Sequence, residues 1–231
     1  MKKPSYVLVP GAWLGSWVWS RVTPIINKEG YPAFPVTLTG MGDRVHLATD
    51  LLNLETAILD VVNTINYNDL DDIVLIGHSF AGKVVSAVAD RIPEKIKSIL
   101  YLDAFFPSKV RTPQGIFGDE FKTDGFVIPF NEGIIDAIGK DVEGDDRKWL
   151  LSKSTPWPVR YAKNPIILSE KFDSIESSYI FCTLSGDPVD EIISGKWGKL
   201  YGPYKLIDAG HWPMITKPEE TATDIIELTV D

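Results

Sequence analysis

Apolar residues fall into two alternating patterns along the chain. Short runs rich in β-branched and aromatic side chains stand at 6–9, 33–37, 72–76, 98–102, 178–183 and 204–207. Between them, longer stretches repeat with the period of a helix. Leu54, Ala57, Ile58, Val61, Val62 and Ile65 keep the i, i+3, i+4, i+7 spacing that lines one helical face. Residues 83–91 read as a second helix, stopped by Pro93. A third opens at Pro218, whose fixed φ suits a first turn. Glu219 and Glu220 stand at the positive end of its dipole, and Ile225, Ile226 and Leu228 form its apolar face. Strands apolar throughout are strands buried on both sides. The pattern therefore predicts an α/β fold with a mostly parallel six-stranded sheet flanked by helices. The rhythm breaks once. From 107 to 177 no convincing pair of core strands appears, only glycine, proline, Trp149, Trp157 and short helical pieces such as 134–138. The expected organisation is a core of 1–106 and 178–231, with 107–177 inserted as a lid or substrate-binding segment. An irregular edge of the same core is the alternative.

Composition narrows the function classes. A chain of 231 residues, 44% apolar and 24% charged, suits one globular domain and excludes disorder. The formal charge of −9 leaves no basic stripe for phosphates, so nucleic acid is not an expected partner. The single cysteine, Cys182, cannot form an internal disulfide and fits a reducing compartment. No apolar run approaches the roughly 20 residues of a membrane span, and the apolar run at 6–10 is too short for a signal segment. A cytoplasmic protein with no membrane partner is expected, and a homodimer is compatible with the sequence. There is no P-loop, no GxGxxG after the first strand and no HExxH, and the three histidines are scattered. No cofactor and no metal is expected.

The stretch Asp72-Ile73-Val74-Leu75-Ile76-Gly77-His78-Ser79-Phe80-Ala81-Gly82 carries the chemistry. An apolar strand meets a turn of small residues around a serine and then becomes a helix, which is the setting of a nucleophile elbow. Gly77 and Ala81 are the small residues that flank Ser79, Ala81 standing where glycine is usual. The plainer reading is a serine capping a helix after a buried strand. A serine hydroxyl needs a base, and near neutral pH that base is histidine. His78 adjoins Ser79 and leaves the bend in another direction, so it is expected beneath the site. His46 lies in a glycine-rich polar loop with a surface or anchoring role. His211 follows the last strand, at the edge where open α/β sheets bind ligands, and is the expected base. The acid that orients it should follow the preceding strand. Asp187 is the first choice by chain order, Asp103 at the end of the 98–102 strand is the second, and Asp190 is the third. Asp187 also reads as the opener of an Asp-Pro turn. Two backbone N–H groups are candidates for holding a developing oxyanion, Phe80 after the nucleophile and Ala12 in the loop after the first strand. Trp13, Trp17 and Trp19 are expected as core aromatics, and Cys182 as a buried apolar side chain.

Gly11-Ala12-Trp13-Leu14-Gly15-Ser16-Trp17, Gly77-His78-Ser79-Phe80-Ala81-Gly82 and Gly210-His211 together resemble the α/β-hydrolase superfamily. The branch they look most like holds plant methylesterases, hydroxynitrile lyases and small microbial carboxylesterases. The resemblance implies an α/β-hydrolase fold, a triad of Ser79, Asp187 and His211, oxyanion donors at Ala12 and Phe80, and a helical cap over about 107–177. Pro10 departs from the family's usual first-loop histidine. Lyases of this branch carry a threonine and a lysine where this chain has Gly11 and Trp212. Without that ammonium a leaving cyanide loses its charge stabiliser. The expected activity is a serine carboxylesterase cleaving small hydrophobic esters through an acyl-enzyme, with a small-molecule ester as partner. A cofactor-free lyase on the same site, and a small-molecule receptor with vestigial hydrolysis, are the alternatives.

Overall fold

The computed structural model describes residues 3–107, 125–196 and 199–230, so part of the expected insertion, 108–124, lies outside them. The elements in chain order begin with β1 (Ser5–Val9), α1 (Thr23–Lys28), β2 (Ala33–Pro35), α2 (Leu54–Tyr67), β3 (Ile73–His78), α3 (Ala81–Arg91) and β4 (Ile96–Leu102). Next come β5 (Val127–Ile128), α4 (Glu132–Ile138), α5 (Gly144–Lys153), β6 (Trp157–Pro158) and α6 (Val159–Lys163). The chain closes with β7 (Glu176–Cys182), α7 (Val189–Ile193), β8 (Tyr204–Ile207), α8 (Pro213–Thr216) and α9 (Pro218–Thr229).

Six strands form one sheet in the order β2-β1-β3-β4-β7-β8, every neighbouring pair parallel. The wholly apolar strands follow from this. Val7 and Val9 of β1, Leu75 of β3, Tyr101 of β4 and Phe181 of β7 face one core with α2 and α3. Tyr6, Leu8, Val74, Ile76, Leu100 and Ile180 face a second core, with Ile26 of α1 and Ala222 and Ile225 of α9. Side chains alternate across a strand, so a sheet covered on both faces needs apolar residues at both parities. The edge strands are less demanding, and Tyr204 and Leu206 of β8 are exposed. Helix α2 starts where Asn53 accepts the N–H of Thr56, and α9 starts on Pro218 with two glutamates in its first turn.

The interval between β4 and β7 adds what the periodicity did not suggest. β5 and β6 pair antiparallel, Val127 with Pro158 and Ile128 with Trp157, apart from the main sheet. Two-residue strands leave no period to read. Among the described residues no helix is long and apolar enough to cross a membrane.

Candidate active site

Parallel strands bring their C-terminal ends to one edge, and Ser79, Asp103 and His211 each stand just beyond a strand end there. β3 ends in His78, and Ser79 then takes φ +57° before α3 begins. That left-handed bend is costly for a residue with a side chain and is held from several directions. Ser79 donates its N–H to the carbonyl of Leu102 at 3.3 Å, and its own carbonyl accepts from Gly82 at 3.1 Å and Phe105 at 3.2 Å. Gly77 and Gly82 are required by crowding. A Cβ at Gly77 would come within 2.6 Å of Val85, and one at Gly82 within 1.9 Å of the Phe105 carbonyl. Ala81, the departure from the usual glycine, is buried without displacing the helix start.

His211 follows β8, and its Nδ1 lies 2.6 Å from Oδ2 of Asp103. The other carboxylate oxygen of Asp103 accepts the Cys182 N–H at 3.0 Å and the Ser185 hydroxyl at 3.5 Å. The Asp103 side chain is only 1% exposed and that of His211 13%. With Nδ1–H committed to a carboxylate, a neutral His211 ring carries its free lone pair on Nε2.

The geometry separates the acid candidates. The hydrogen bond from His211 falls on Asp103, the second choice, and not on Asp187, the first. Asp103 ends the strand next to the one that bears Ser79, and its own φ of +43° turns it there. Asp187 stands beyond Gly186, which has φ +93°, at an exposed turn where its carbonyl accepts the Val189 N–H. Crowding around its carboxyl and then the Asp103 carboxylate raise its pKa above the usual range, while His211 lowers it. Asp190 lies in the first turn of α7, also exposed. The signal for Asp103 was present in the sequence as a lone carboxylate directly after an apolar strand.

His78 is fully buried beneath the site, its ring centroid 4.7 Å from that of His211. Burial first, and the His211 ring second, push its pKa well below the ordinary value. His46 is exposed in a short turn, Gly42–Leu47. The first-strand loop passes close to Ser79: a Cβ on Gly11 would lie 2.9 Å from the Ser79 Cβ. Ala12 and Phe80 are buried, and no hydrogen bond among the described residues uses their amide N–H groups.

Aromatic rings surround these positions. Trp157 packs on Phe80 at 5.0 Å and on Trp13 at 5.5 Å, and Phe130 reaches both Trp13 at 5.7 Å and Trp212 at 6.2 Å. Trp13 and Trp19 are buried as expected and Trp17 is half-buried. Cys182 is a buried free thiol whose pKa is raised by burial. A cavity of about 260 Å³ lies elsewhere, lined by Tyr101, Phe106, Phe172 and Tyr179 among others, and includes neither Ser79 nor His211. Among the described residues no group of three or more His, Cys, Asp and Glu side chains is placed to hold a metal ion.

Comparison with known proteins gives this arrangement its class. The profile of the Alpha/beta hydrolase family matches residues 6–224, and the chain belongs to that family. A carbendazim hydrolyzing esterase of Nocardioides sp. (strain SG-4G) is 29% identical, over 97% of this chain and 99% of that protein. Methylesterase 2 of Arabidopsis thaliana is 26% identical, over 98% of this chain and 96% of its own length. The structure of an extracellular alpha/beta-hydrolase from a Paenibacillus species superposes with a TM-score of 0.82 at 21% identity, over 99% of this chain and 100% of that one.

Proposed function

We propose that the protein is a serine carboxylesterase that hydrolyses small hydrophobic esters through an acyl-enzyme. The observation that carries this reading is the His211–Asp103 pair, together with a serine held in a strained strand-to-helix bend next to His78, whose ring lies 4.7 Å from that of His211. Ser79 Oγ attacks the ester carbonyl while His211 Nε2 takes its proton, and Asp103 holds the imidazolium that forms. The N–H groups of Ala12 and Phe80 receive the charge that grows on the carbonyl oxygen. The intermediate collapses to the acyl-Ser79 ester, and the departing alcohol takes its proton from His211. Water, deprotonated by the same base, then releases the acid. Asp103 takes the place first expected for Asp187, supported by its direct bond to His211 and its burial.

Segment 107–177 serves as the cap in this proposal. Trp157 and Phe130, both within it, touch Phe80, Trp13 and Trp212, which supports apolar acyl or alcohol groups as substrates. The esterases among the related proteins support the same reaction class. Against a cyanide-releasing lyase stands Trp212, a buried indole 5.6 Å from the His211 ring in the place where an ammonium would be needed. The lone free thiol, Cys182, supports a cytoplasmic location, which cell fractionation tests.

The test of the reaction is p-nitrophenol release from acetate and butyrate esters. Wild type should show a burst and then turnover. Ser79→Ala should lose at least about 10³-fold in kcat while keeping its circular dichroism spectrum. A folded Ser79→Ala protein with undiminished turnover would overturn the assignment.

A further inference from the structure

His78 stands inside the site yet has no step in the acyl transfer above. Its Nδ1 accepts the Gly11 N–H at 3.2 Å. A neutral imidazole has one donor and one acceptor, so Nε2 carries the proton and donates to the His211 carbonyl at 2.7 Å. His211 gives its own N–H to the carbonyl of Ile138, the last residue of α4, at 2.8 Å. The peptide of the base is thus held on one side by α4 and on the other by His78. Gly11 is equally confined. A Cβ there would lie 2.6 Å from His78 Nδ1, so only glycine lets the loop rest on the ring. Trp19 covers the ring edge-on, with centroids 6.4 Å apart.

We propose that His78 is a positioning residue whose two nitrogens set the oxyanion loop at Gly11 and the base at His211 in register with each other. The idea rests on the esterase reading of the same site. The bridge works only as the neutral ring, because a protonated Nδ1 would turn its N–H against that of Gly11. Burial and the neighbouring His211 ring keep it neutral, and the carboxylates Asp103 and Asp187 lie towards His211 rather than His78.

Two substitutions separate the two ends of the bridge. Asparagine places Oδ1 where His78 has Nδ1 and keeps the acceptor for Gly11. Glutamine places Nε2 where His78 has Nε2 and keeps the donor to His211. His78→Phe removes both and should lower kcat about 10²-fold with KM nearly unchanged, the scale of a small misalignment of reacting groups. His78→Gln should recover part of that loss. It should retain the far-downfield proton resonance of the His211–Asp103 hydrogen bond and bind a phenylboronic acid transition-state analogue more weakly. His78→Asn should show the reverse, a shifted resonance with boronate affinity preserved. Folded variants that all keep wild-type kcat, or in which both readouts move together, make His78 a space filler and overturn the proposal. If His78→Phe does not fold, the Asn and Gln pair decides alone. A wild type that turns over no ester and takes no fluorophosphonate on Ser79 overturns the esterase reading instead. The bridge is then still decided by the resonance, which should be shared by wild type and His78→Gln and altered in His78→Asn.

Discussion

Ser79, Asp103 and Trp13 are three of the five non-glycine residues with positive φ among those described. Each such residue costs on the order of 1–3 kcal/mol and persists only where its surroundings over-determine it. Asp103 meets that condition, with its N–H on the Ile180 carbonyl at 2.7 Å and its carboxylate on three donors. The bend therefore fixes where the carboxylate points as well as where the chain goes. Two substitutions separate the acid candidates. Asp103→Asn should lower kcat by about 10³- to 10⁴-fold, because the amide favours the wrong His211 tautomer. Asp187→Asn should leave kcat within about threefold, since loss of a charge without direct contact is a small perturbation. Steady-state kinetics on p-nitrophenyl butyrate reads both, and the opposite ranking would return the role to Asp187.

Helix α3 begins at the elbow and meets α6 through an unusual contact. Lys83, two residues into the helix, is buried at 2% exposure and donates to the Ala162 carbonyl at 3.0 Å. No acidic partner is among its neighbours in the described residues, and burial lowers its pKa to about 8. Tyr161 bonds the Thr39 carbonyl at 2.7 Å and Asn164, which caps α6, accepts the Leu54 N–H at 3.3 Å, so the helix and its cap are tied to the core at three points. A lysine whose folded pKa is depressed costs stability while charged, and that cost fades as pH rises from about 8 to the ordinary lysine value of about 10.4. Lys83→Met should therefore raise the melting temperature at pH 7, by a gain of up to roughly 3 kcal/mol less the lost hydrogen bond. The gain should shrink towards pH 10. Thermal melts from pH 7 to 10 check the sign, and a gain that grows with pH would refute it.

The whole molecule sets the field around the site. A net charge of −9 on a 231-residue chain repels anionic substrates. Butyrate esters should therefore outperform hemisuccinate esters of the same alcohol in kcat/KM at low ionic strength. The gap should narrow as salt rises towards about 0.5 M, where screening shortens to a few ångströms. Equal rates at low salt would show that the aromatic wall alone controls entry. The all-parallel sheet sets the geometry, because Val9, His78, Leu102, Cys182 and Ile207 all end on one edge, beyond which Ala12, Ser79, Asp103, Ser185 and His211 follow.

The chain's local patterns determined the sheet and its main helices, and marked two candidate chemical groups. β-branched runs and helical spacing specify elements by local physics, and an elbow is written in contiguous small residues around Ser79. His211 was singled out as a candidate because only one of three histidines follows a strand end. That His211 bonds Asp103 and not Asp187 was decided only by tertiary structure, because chain order says which loop carries a carboxylate and not which carboxylate faces a ring two strands away. β5 and β6 were equally silent, since two residues carry no period. The bonds of His78 to Gly11 and His211, and of Lys83 to Ala162, join residues 67, 133 and 79 positions apart. No local rule couples such positions. They come together because a twisted parallel sheet returns every strand to the same edge, where close packing leaves each nitrogen a single partner.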